Sequence, residues 1–320
     1  MKILVTGCAG FIGYHLCKKL VLNKKNYIYG IDNLNTYYDI GLKKSRLKIL
    51  KKNSNNFKFK KIDLLDSNRL SSIFKINKFD IVVNLAAQAG VRYSIDNPRT
   101  YLENNVIGFF NLIEVSRFFK IKHFIYASTS SVYGLNDKFP LKENYNTDKP
   151  ISFYAATKKN NETIAYSYSH IFKLKTTGLR FFTVYGPFGR PDMALFKFTN
   201  NILKGKKIEL YNYGNMFRDF TYIDDVIEGI NLVIKHKKRT NTPYEIYNIG
   251  SNKPKSLKTF LINIEKALKI KINYKLKPLQ KGDVIKTHAS ISKLKGYKPS
   301  TSLSKGIINF VNWYKSYYKK

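Results

Sequence analysis

Cysteine, acidic residues and long apolar runs are all scarce in this 320-residue chain. The two cysteines, Cys8 and Cys17, belong to no CxxC or histidine-rich cluster, which argues against a disulfide scaffold and gives no indication of a metal site. No apolar run approaches the length of about 18 residues that a membrane-spanning helix requires. We therefore expect no metal, no membrane partner and no leader peptide, and a cytoplasmic location.

The shortage of acidic residues leaves a large positive charge. The chain has 21 Asp and Glu against 57 Lys and Arg, which gives a formal net charge of +36. Such a charge is compatible with a nucleic-acid partner, which would show salt-sensitive DNA or RNA binding at about 150 mM salt. However, arginine is rare among the basic residues, and the lysines are spread along the whole chain. We interpret the charge as lysine bias on solvated faces and expect no nucleic-acid partner.

The first half of the chain alternates apolar strand-like runs with amphipathic helical stretches. The predicted strands are residues 2–6, 27–32, 57–62, 81–85, 123–128 and 176–182. Helical patterns lie between them, for example at residues 12–22, 107–118 and 155–171. Alternation of this kind predicts βαβ units and an α/β fold with a doubly wound parallel sheet.

The pattern changes after residue 182. Turn-forming Gly-Pro and Arg-Pro pairs begin at Gly186 and Arg190, and shorter elements follow, such as residues 207–211 and 247–249. We expect a cofactor-binding domain over residues 1–182 and a smaller C-terminal α/β substrate lobe over residues 183–320. Segments of the second part are expected to return to the first domain.

A long insertion, residues 35–61, lies between the second and third predicted strands. Its lysine-rich stretch at residues 42–52 predicts a helix that is exposed to solvent.

A glycine-rich turn, Gly7-Cys8-Ala9-Gly10-Phe11-Ile12-Gly13, follows the first strand and opens the first helix. Glycines here permit a tight turn, close approach of the backbone to a pyrophosphate, and close packing of helix on strand. The helix N-terminus adds free N–H groups and the positive end of its dipole. Asp32 ends the next strand, where it can bind ribose hydroxyls and repel a 2′-phosphate. The sequence therefore favours NAD over NADP; the alternative is a structural turn without a ligand.

Tyr154 and Lys158 are one helical turn apart at the start of a predicted helix. A tyrosine beside a cation can act as general base for a sugar hydroxyl whose carbon loses a hydride. The spacing alone carries little weight, because it recurs at Tyr14/Lys18 and Tyr145/Lys149. Context selects Tyr154, since a cluster of hydroxyls at residues 128–131 ends the strand before it, where parallel sheets bind ligands. That cluster could also be a turn or a helix cap.

Together these motifs resemble the extended short-chain dehydrogenase/reductase family over nearly the whole chain. The family order also includes residues 63–64, 84–88 and 131–134. The resemblance implies a Rossmann fold with bound NAD, a homodimer formed through helices near residues 101–119 and 154–172, and a catalytic group of Thr129, Tyr154 and Lys158. The expected cofactor contacts are Gly7, Gly10, Phe11, Ile12, Gly13, Asp32, Asn33, Asp63, Leu64, Leu85, Ala86, Ala87, Tyr154 and Lys158.

A narrower resemblance is to the UDP-glucuronate 4-epimerase subgroup, carried by residues 86–94, 179–187, 189–196 and 218–225 and by the insertion. It implies NAD-dependent oxidation at C4 of UDP-glucuronate, a transient 4-keto sugar, and return of the hydride to give UDP-galacturonate. His288-Ala289-Ser290 departs from this pattern, since relatives usually have an aromatic-Ala-Asp run there. The expected substrate contacts are Arg92, Ser130, Ser131, Thr183, Arg190, Arg218, Gln280 and Asp283.

Other functions are compatible with the same residues. The alternatives are a UDP-glucose/UDP-galactose 4-epimerase, a UDP-glucuronate decarboxylase, and an NAD(P)-sensing binding protein without catalysis. Single arginines also have structural interpretations. Arg190 could pair with Asp192 on the surface, Arg218 could pair with Asp219, and Arg92 could lie in an interface. The acidic pair at residues 224–225 is expected to cap a helix that starts near Val226.

Overall fold

The helices and strands follow the apolar periodicity of the sequence, in a computed structural model that describes residues 1–52, 54–236 and 243–319. The strands are β1 (Lys2–Thr6), β2 (Tyr27–Asp32), β3 (Phe57–Lys61), β4 (Ile81–Asn84), β5 (His123–Thr129), β6 (Thr176–Phe181), β7 (Thr183–Tyr185), β8 (Ile208–Leu210), β9 (Phe217–Arg218), β10 (Phe220–Tyr222), β11 (Tyr244–Ile249), β12 (Lys255–Ser256) and β13 (Tyr274–Leu276).

The α-helices are α1 (Phe11–Leu20), α2 (Ile40–Lys52), α3 (Ser67–Asn77), α4 (Tyr93–Asp96), α5 (Pro98–Tyr101), α6 (Gly108–Phe118), α7 (Phe153–Phe172), α8 (Ala194–Leu203), α9 (Ile223–Lys235), α10 (Leu257–Leu268) and α11 (Leu303–Tyr318). A π-helical turn, Leu102–Ile107, joins α5 to α6, and 3-10 turns span Ser130–Tyr133 and Tyr211–Gly214. None of the described helices combines the length and the apolar character needed to cross a membrane.

Seven of the strands form one parallel sheet in the order β11-β6-β5-β4-β1-β2-β3. The strands β2 and β3 are added on one side of β1, and β4, β5, β6 and β11 are added on the other side. The order of the strands therefore reverses between β1 and β4. Such a reversal opens a crevice at the carboxyl ends of the strands, where open α/β sheets bind ligands. The predicted doubly wound α/β fold is confirmed.

The edge strand β11 is longer than the sequence indicated and belongs to the main sheet. Its sequence pattern indicates only a short element at residues 247–249. It pairs in parallel with β6 along its whole length, and its Ile246, Tyr247 and Ile249 are buried. The chain therefore leaves the sheet after β6 and returns to complete its edge.

The two faces of the sheet bury alternate residues of the same strands. Val5, Val83 and Ile125 pack in a cluster with apolar residues of α1, α2, α9, α10 and α11. Their neighbours Leu4 and Val82 pack on the opposite face with residues of α3, α6 and α7. Because both faces are covered, the strands read as continuous apolar runs, as buried parallel strands do.

The prediction of an exposed helix in the insertion is wrong. Along α2, Leu42, Lys43, Arg46, Leu47 and Leu50 are all buried. These positions share one face of a helix, because they are spaced by one, three or four residues. The buried face was not recognised in the sequence, because two of its five residues are basic.

The prediction that the acidic pair at residues 224–225 caps a helix is also wrong. The helix α9 starts at Ile223, so that both acids lie inside its first turn and Tyr222 is the N-cap. The carboxylate of Asp225 instead accepts hydrogen bonds from the amides of Ser300 and Thr301, both at 3.1 Å. Within the described ranges, no group of His, Cys, Asp and Glu side chains could hold a metal ion.

A buried ion pair joins the main sheet to α7. Arg180 on β6 binds both carboxylate oxygens of Glu162 on α7, with Nε–Oε1 at 2.9 Å and Nη2–Oε2 at 2.8 Å. The hydroxyl of Ser128 on β5 donates to the same carboxylate at 2.6 Å. The arginine and glutamate side chains are only 5% and 4% exposed. This pair fixes α7 against the strands whose ends line the crevice.

Glu162→Gln is expected to lower the free energy of unfolding by about 3–5 kcal/mol, because it leaves the guanidinium of Arg180 buried without a countercharge. Urea unfolding at pH 7, followed by circular dichroism, measures the loss. The matched control is Glu103→Gln, which breaks an exposed pair with Arg99 and should cost less than about 1 kcal/mol. Equal losses for the two variants would contradict the structural role of the buried pair.

Candidate active site

A cleft of about 1030 Å³ opens at the carboxyl ends of the central strands and continues between the sheet and the C-terminal part of the chain. It brings together every predicted site residue except Gln280. Gln280 lies outside the cleft lining, and its side-chain oxygen is buried without a hydrogen-bond partner among the described residues. The residues gathered from separate parts of the sequence therefore meet in one place.

The glycine-rich turn after β1 packs so closely against neighbouring backbone that two of its glycines have no space for a side chain. Gly7 has φ of +67°, and a Cβ atom there would lie 2.8 Å from the backbone nitrogen of Ala86. A Cβ on Gly13 would overlap the carbonyl oxygen of Gly7. The helix α1 begins at Phe11 with no side chain capping its first amides. The turn thus presents free N–H groups at a helix N-terminus, which fits the diphosphate of a dinucleotide.

Asp32 is held rigidly at the end of β2. Its carboxylate accepts hydrogen bonds from the amides of Leu34 at 2.8 Å and Ala9 at 3.1 Å. Burial raises the pKa of Asp32, and these bonds oppose the rise together with the charges of Lys43 and Arg46. A carboxylate fixed in this way beside the glycine turn suits ribose hydroxyls of a dinucleotide.

The insertion supplies a cleft residue that the sequence analysis missed. The ammonium of Lys43 donates to the backbone and side-chain oxygens of Asn35, both at 2.7 Å, and lines the cleft beside Asp32. The signal that could have found it is the buried face of α2, which Lys43 shares with three leucines.

Asn33 and Asp63, both predicted, are joined by a hydrogen bond of 2.9 Å.

The start of α7 places Tyr154 and Lys158 in the cleft. Ser152 caps this helix by accepting from the amide of Ala155 at 3.1 Å. The ammonium of Lys158 donates to the carbonyl of Ala127 at 3.0 Å, and this residue is only 3% exposed. Burial lowers the pKa of Lys158 to about 8. The lysine is thus a buried cation that is fixed to β5.

Burial also raises the pKa of Tyr154, and this residue is therefore a neutral phenol in the ligand-free protein. The charge of Arg190 and the hydroxyl of Thr129 oppose the rise, while Asp192 adds to it. Helical spacing alone points to Lys158 as the nearby cation. In the structure, the charge of Arg190 also lies close enough to lower the pKa of Tyr154, which the sequence does not foreshadow.

Thr129 is both a cap and a cleft residue, so the two interpretations of the hydroxyl cluster at residues 128–131 are compatible. Its oxygen accepts from the amide of Ser131 at 3.2 Å and so caps the 3-10 turn that follows β5. Its hydroxyl donates to that of Ser131 at 3.2 Å. Thr129, Ser130 and Ser131 all line the cleft beside Tyr154. The cap fixes these hydroxyls in the cleft.

Arg190 pairs with Asp192, as the structural interpretation of this turn supposed, but the pair lies in the cleft rather than on the surface. Its Nε donates to Oδ1 of Asp192 at 2.9 Å. The hydroxyl of Tyr37, in the insertion, donates to Oδ2 of Asp192 at 3.2 Å. Sequence reasoning missed Tyr37, because only the fold brings the insertion across to this turn.

Two arginines meet one carboxylate at the far end of the cleft. Arg218 donates to Asp283 at 2.8 Å, and Arg92 lies 3.7 Å from the same carboxylate. The guanidinium of Arg92 also lies over the ring of Tyr211, 4.8 Å from its centre. Two cations against one carboxylate leave a net positive charge that suits a phosphate group.

The alternative pairing of Arg218 with Asp219 is wrong. The carboxylate of Asp219 instead accepts from three backbone amides, those of Ser251, Asn252 and Ala289, at 2.6 to 3.0 Å. Arg218 thus lines the cleft and is paired there with Asp283.

A second missed group lies behind Tyr154. The side chain of Asn105, in the π-helical turn, accepts from the amide of Gln88 at 2.8 Å and donates to the hydroxyl of Thr157 at 3.1 Å. That hydroxyl donates to the carbonyl of Tyr154 at 2.8 Å. The chain of bonds links the loop after β4 to the start of α7. The π-helical turn that positions Asn105 has no reliable signature in a single sequence.

Lys158→Met is expected to stabilise the protein without NAD, and more so at pH 7 than at pH 10. Below pH 8 the ammonium is charged in the folded and unfolded states, so folding carries the full cost of burying it. The fall of the pKa from 10.5 to about 8 corresponds to about 3 kcal/mol. This cost shrinks as the pH rises from 8 to 10.5. Urea unfolding of both proteins at pH 7 and pH 10 measures it, and a difference that does not change with pH contradicts the assignment.

Comparison with known proteins identifies relatives along the whole chain. Protein CapI of Staphylococcus aureus is 49% identical over 337 residues, which cover 100% of both chains. UDP-glucuronate 4-epimerase 1 of Arabidopsis thaliana is 44% identical over 99% of this chain and 77% of its own. The crystal structure of the Bacillus cereus UDP-glucuronic acid 4-epimerase, in complex with UDP-glucuronic acid and NAD, has a TM-score of 0.94 at 35% identity. The match covers 99% of this chain and 100% of that one.

The family resemblance seen in the sequence is confirmed by these relatives, and so is NAD as the cofactor. The model of the NAD dependent epimerase/dehydratase family matches residues 3–250. The chain therefore belongs to the NAD dependent epimerase/dehydratase family.

Proposed function

We propose that this enzyme converts UDP-glucuronate to UDP-galacturonate by epimerisation at C4. The observation that carries the proposal is the group of hydroxyls and one guanidinium beside Tyr154, contributed by Ser130, Ser131, Thr183 and Arg190. Such a group suits a sugar whose carboxylate is attached to the carbon next to the reacting carbon. The similarity to UDP-glucuronate 4-epimerases along the whole chain supports the same substrate.

The reaction needs a group that takes the proton of the C4 hydroxyl and later returns it to the same oxygen. When bound, NAD supplies the acceptor and donor for the hydride of the same carbon. Tyr154 accepts the proton from the C4 hydroxyl as general base and donates it back as general acid. Thr129 would hydrogen-bond the phenol oxygen during the reaction, and Lys158 would hold the cofactor ribose. The glycine turn, Asp32 and the other predicted contacts hold the dinucleotide.

A uronic acid adds a second requirement. The C4 ketone is β to the C6 carboxylate, so the intermediate can lose CO₂ when the breaking bond aligns with the carbonyl π system. Holding the carboxylate out of that alignment is a matter of geometry that a few polar contacts can impose. We assign this task to Ser130, Ser131, Thr183 and Arg190. At the other end of the cleft, Arg92 and Arg218 would bind the diphosphate, and Asp283 would lie near the uridine. The contact expected of Gln280 stays a prediction, because this residue lies outside the cleft lining.

Further parts of the proposal concern assembly and location. Exposed apolar side chains on α6 and α7, among them Phe110, Phe118, Ile171 and Phe172, support a homodimer formed through these helices. The two cysteines are free thiols, which supports a cytoplasmic location, and the product would serve polysaccharide biosynthesis. The division into a cofactor domain, residues 1–182, and a substrate lobe, residues 183–320, also stays a proposal.

Tyr154→Phe is expected to reduce kcat for UDP-glucuronate by about 10²–10⁴-fold, because the general base is lost. Product formation is followed by NMR, and NAD content is measured to show that the variant still binds the cofactor. The matched control is Tyr145→Phe. Tyr145 also precedes a lysine by four residues but lies outside the cleft, so its loss should leave kcat within twofold. Full activity of Tyr154→Phe would overturn the assignment of the base.

Incubation of the wild type with UDP-glucuronate is expected to give the C4 epimer without CO₂. Arg190→Met should reduce turnover and raise the share of UDP-pentose, because the carboxylate is held less firmly. NMR together with trapping of CO₂ measures both products. A wild type that yields mainly UDP-pentose is a decarboxylase, and one that turns over UDP-glucose faster than UDP-glucuronate is a hexose epimerase. Either result refutes the proposed function.

A further inference from the structure

Arg46 of α2 is a completely buried cation with no exposed surface. Burying a guanidinium is costly unless a countercharge lies next to it. Among the residues that the structure describes, no carboxylate oxygen lies within 4.0 Å of this side chain. Its Nε is also buried without a hydrogen-bond partner. Packing alone does not explain why a charged side chain occupies this buried position.

The guanidinium binds three neutral oxygens from three different segments. One terminal nitrogen donates to the carbonyl of Ala9 at 2.7 Å and to the hydroxyl of Tyr38 at 2.8 Å. The other donates to the carbonyl of Phe188 at 2.6 Å. These oxygens belong to the glycine turn, to the insertion itself, and to the turn of residues 186–190. A planar fork of donors can join two carbonyls in this way, which a single ammonium does poorly.

At the glycine turn, Arg46 adds a fixed positive charge beneath the cofactor cradle. Ala9 lies between Gly7 and Gly10, directly before the free amides of α1. The buried charges near this turn are Arg46, Lys43 and Asp32. Both cations lie close enough to the carboxylate to lower its pKa. Two cations and one carboxylate leave one positive charge for an anion, and the diphosphate of NAD would bring the missing countercharge.

At the other end, Arg46 fixes the turn that carries Arg190. Phe188 has φ of +56°, a left-handed conformation that non-glycine residues rarely adopt. Its ring packs against Tyr14 of α1 and Trp313 of α11. The ring of His15 lies 2.9 Å from the carbonyl of Pro187, and burial lowers the pKa of this histidine to about 3, so it is neutral. Arg46 is thus the charged anchor of the turn.

We propose that Arg46 is a positioning residue that connects the glycine turn to the turn of residues 186–190, so that NAD binding orders the segment carrying Arg190. The proposal rests on the proposed function only for the substrate role of Arg190. Neither NAD affinity nor the order of the turn depends on which sugar nucleotide is the substrate.

The first test is the NAD affinity of Arg46→Met, measured by isothermal titration calorimetry on protein stripped of cofactor. We expect NAD to bind about tenfold or more weakly, because charge-assisted hydrogen bonds and a positive charge under the cradle are lost. Arg69→Met removes an exposed arginine on α3 and is the matched control, with an affinity within twofold of the wild type. An equally small change for Arg46→Met would refute the proposal.

The second test separates coupling from a purely structural effect. Hydrogen–deuterium exchange is measured on peptides that cover residues 7–13 and 186–193, with and without saturating NAD. In the wild type, NAD should slow exchange in both segments. In Arg46→Met, NAD should slow exchange only in the glycine turn. Retained protection of residues 186–193 in the variant would overturn the coupling.

Arg46→Lys keeps the charge and covers the case in which the methionine variant does not fold. We expect Arg46→Lys to bind NAD more tightly than Arg46→Met. If Arg46→Met is unfolded, the comparison is with the wild type, which should bind NAD more tightly than Arg46→Lys. In either case, NAD should no longer protect residues 186–193 of Arg46→Lys from exchange. Wild-type protection in Arg46→Lys would refute the proposal. Failure of the wild type to turn over UDP-glucuronate would refute the proposed function alone, since neither test contains a sugar nucleotide.

Discussion

Desolvation of the phenol of Tyr154 is the constraint on which the site depends. Burial makes this tyrosine a weaker acid, so a positive charge is needed before it can give up its proton. The charge of Arg190 is provided by a turn that lies far from α7 in the sequence. Lys158, which is also buried, is fixed to the carbonyl of Ala127 instead. The proposed acid–base role of Tyr154 would therefore require the C-terminal part of the chain to dock accurately on the sheet.

Several separate contacts produce that docking. The insertion after β2 reaches the segment of residues 186–192 twice, through Tyr37 on Asp192 and through Arg46 on Phe188. The helix α1 reaches it through His15. Behind the site, the pair of Arg180 and Glu162 holds α7 on the strands. The part of the molecule that would bind NAD therefore also fixes the side chains that would bind the sugar, which explains how one cleft serves both ligands.

Much of this was predictable from the sequence. The strand runs and the order of the motifs gave the parallel sheet, because each strand is a continuous apolar run between helices. Motif residues such as Asp32 and Thr129 fall in the cleft, since residues at the carboxyl ends of parallel strands meet there. The buried face of α2 was missed, because Lys43 and Arg46 resemble solvent-exposed residues when only composition is considered. The effect of Arg190 on Tyr154 was missed for a related reason: helical spacing favours neighbours, whereas Arg190 is brought near only by the fold.

The most direct measurement is an ultraviolet difference titration of the wild type against Tyr154→Phe, with and without bound NAD. The difference isolates the ionisation of one tyrosine among the 24 in the chain. Without NAD, we expect Tyr154 to titrate above the ordinary value of 10.0, as burial requires. With NAD, its pKa should fall, because the positively charged nicotinamide ring would lie in the same cleft as the phenol. A pKa at or below 10.0 in the protein without NAD, or one that NAD leaves unchanged, would contradict a base that becomes competent only in the loaded site.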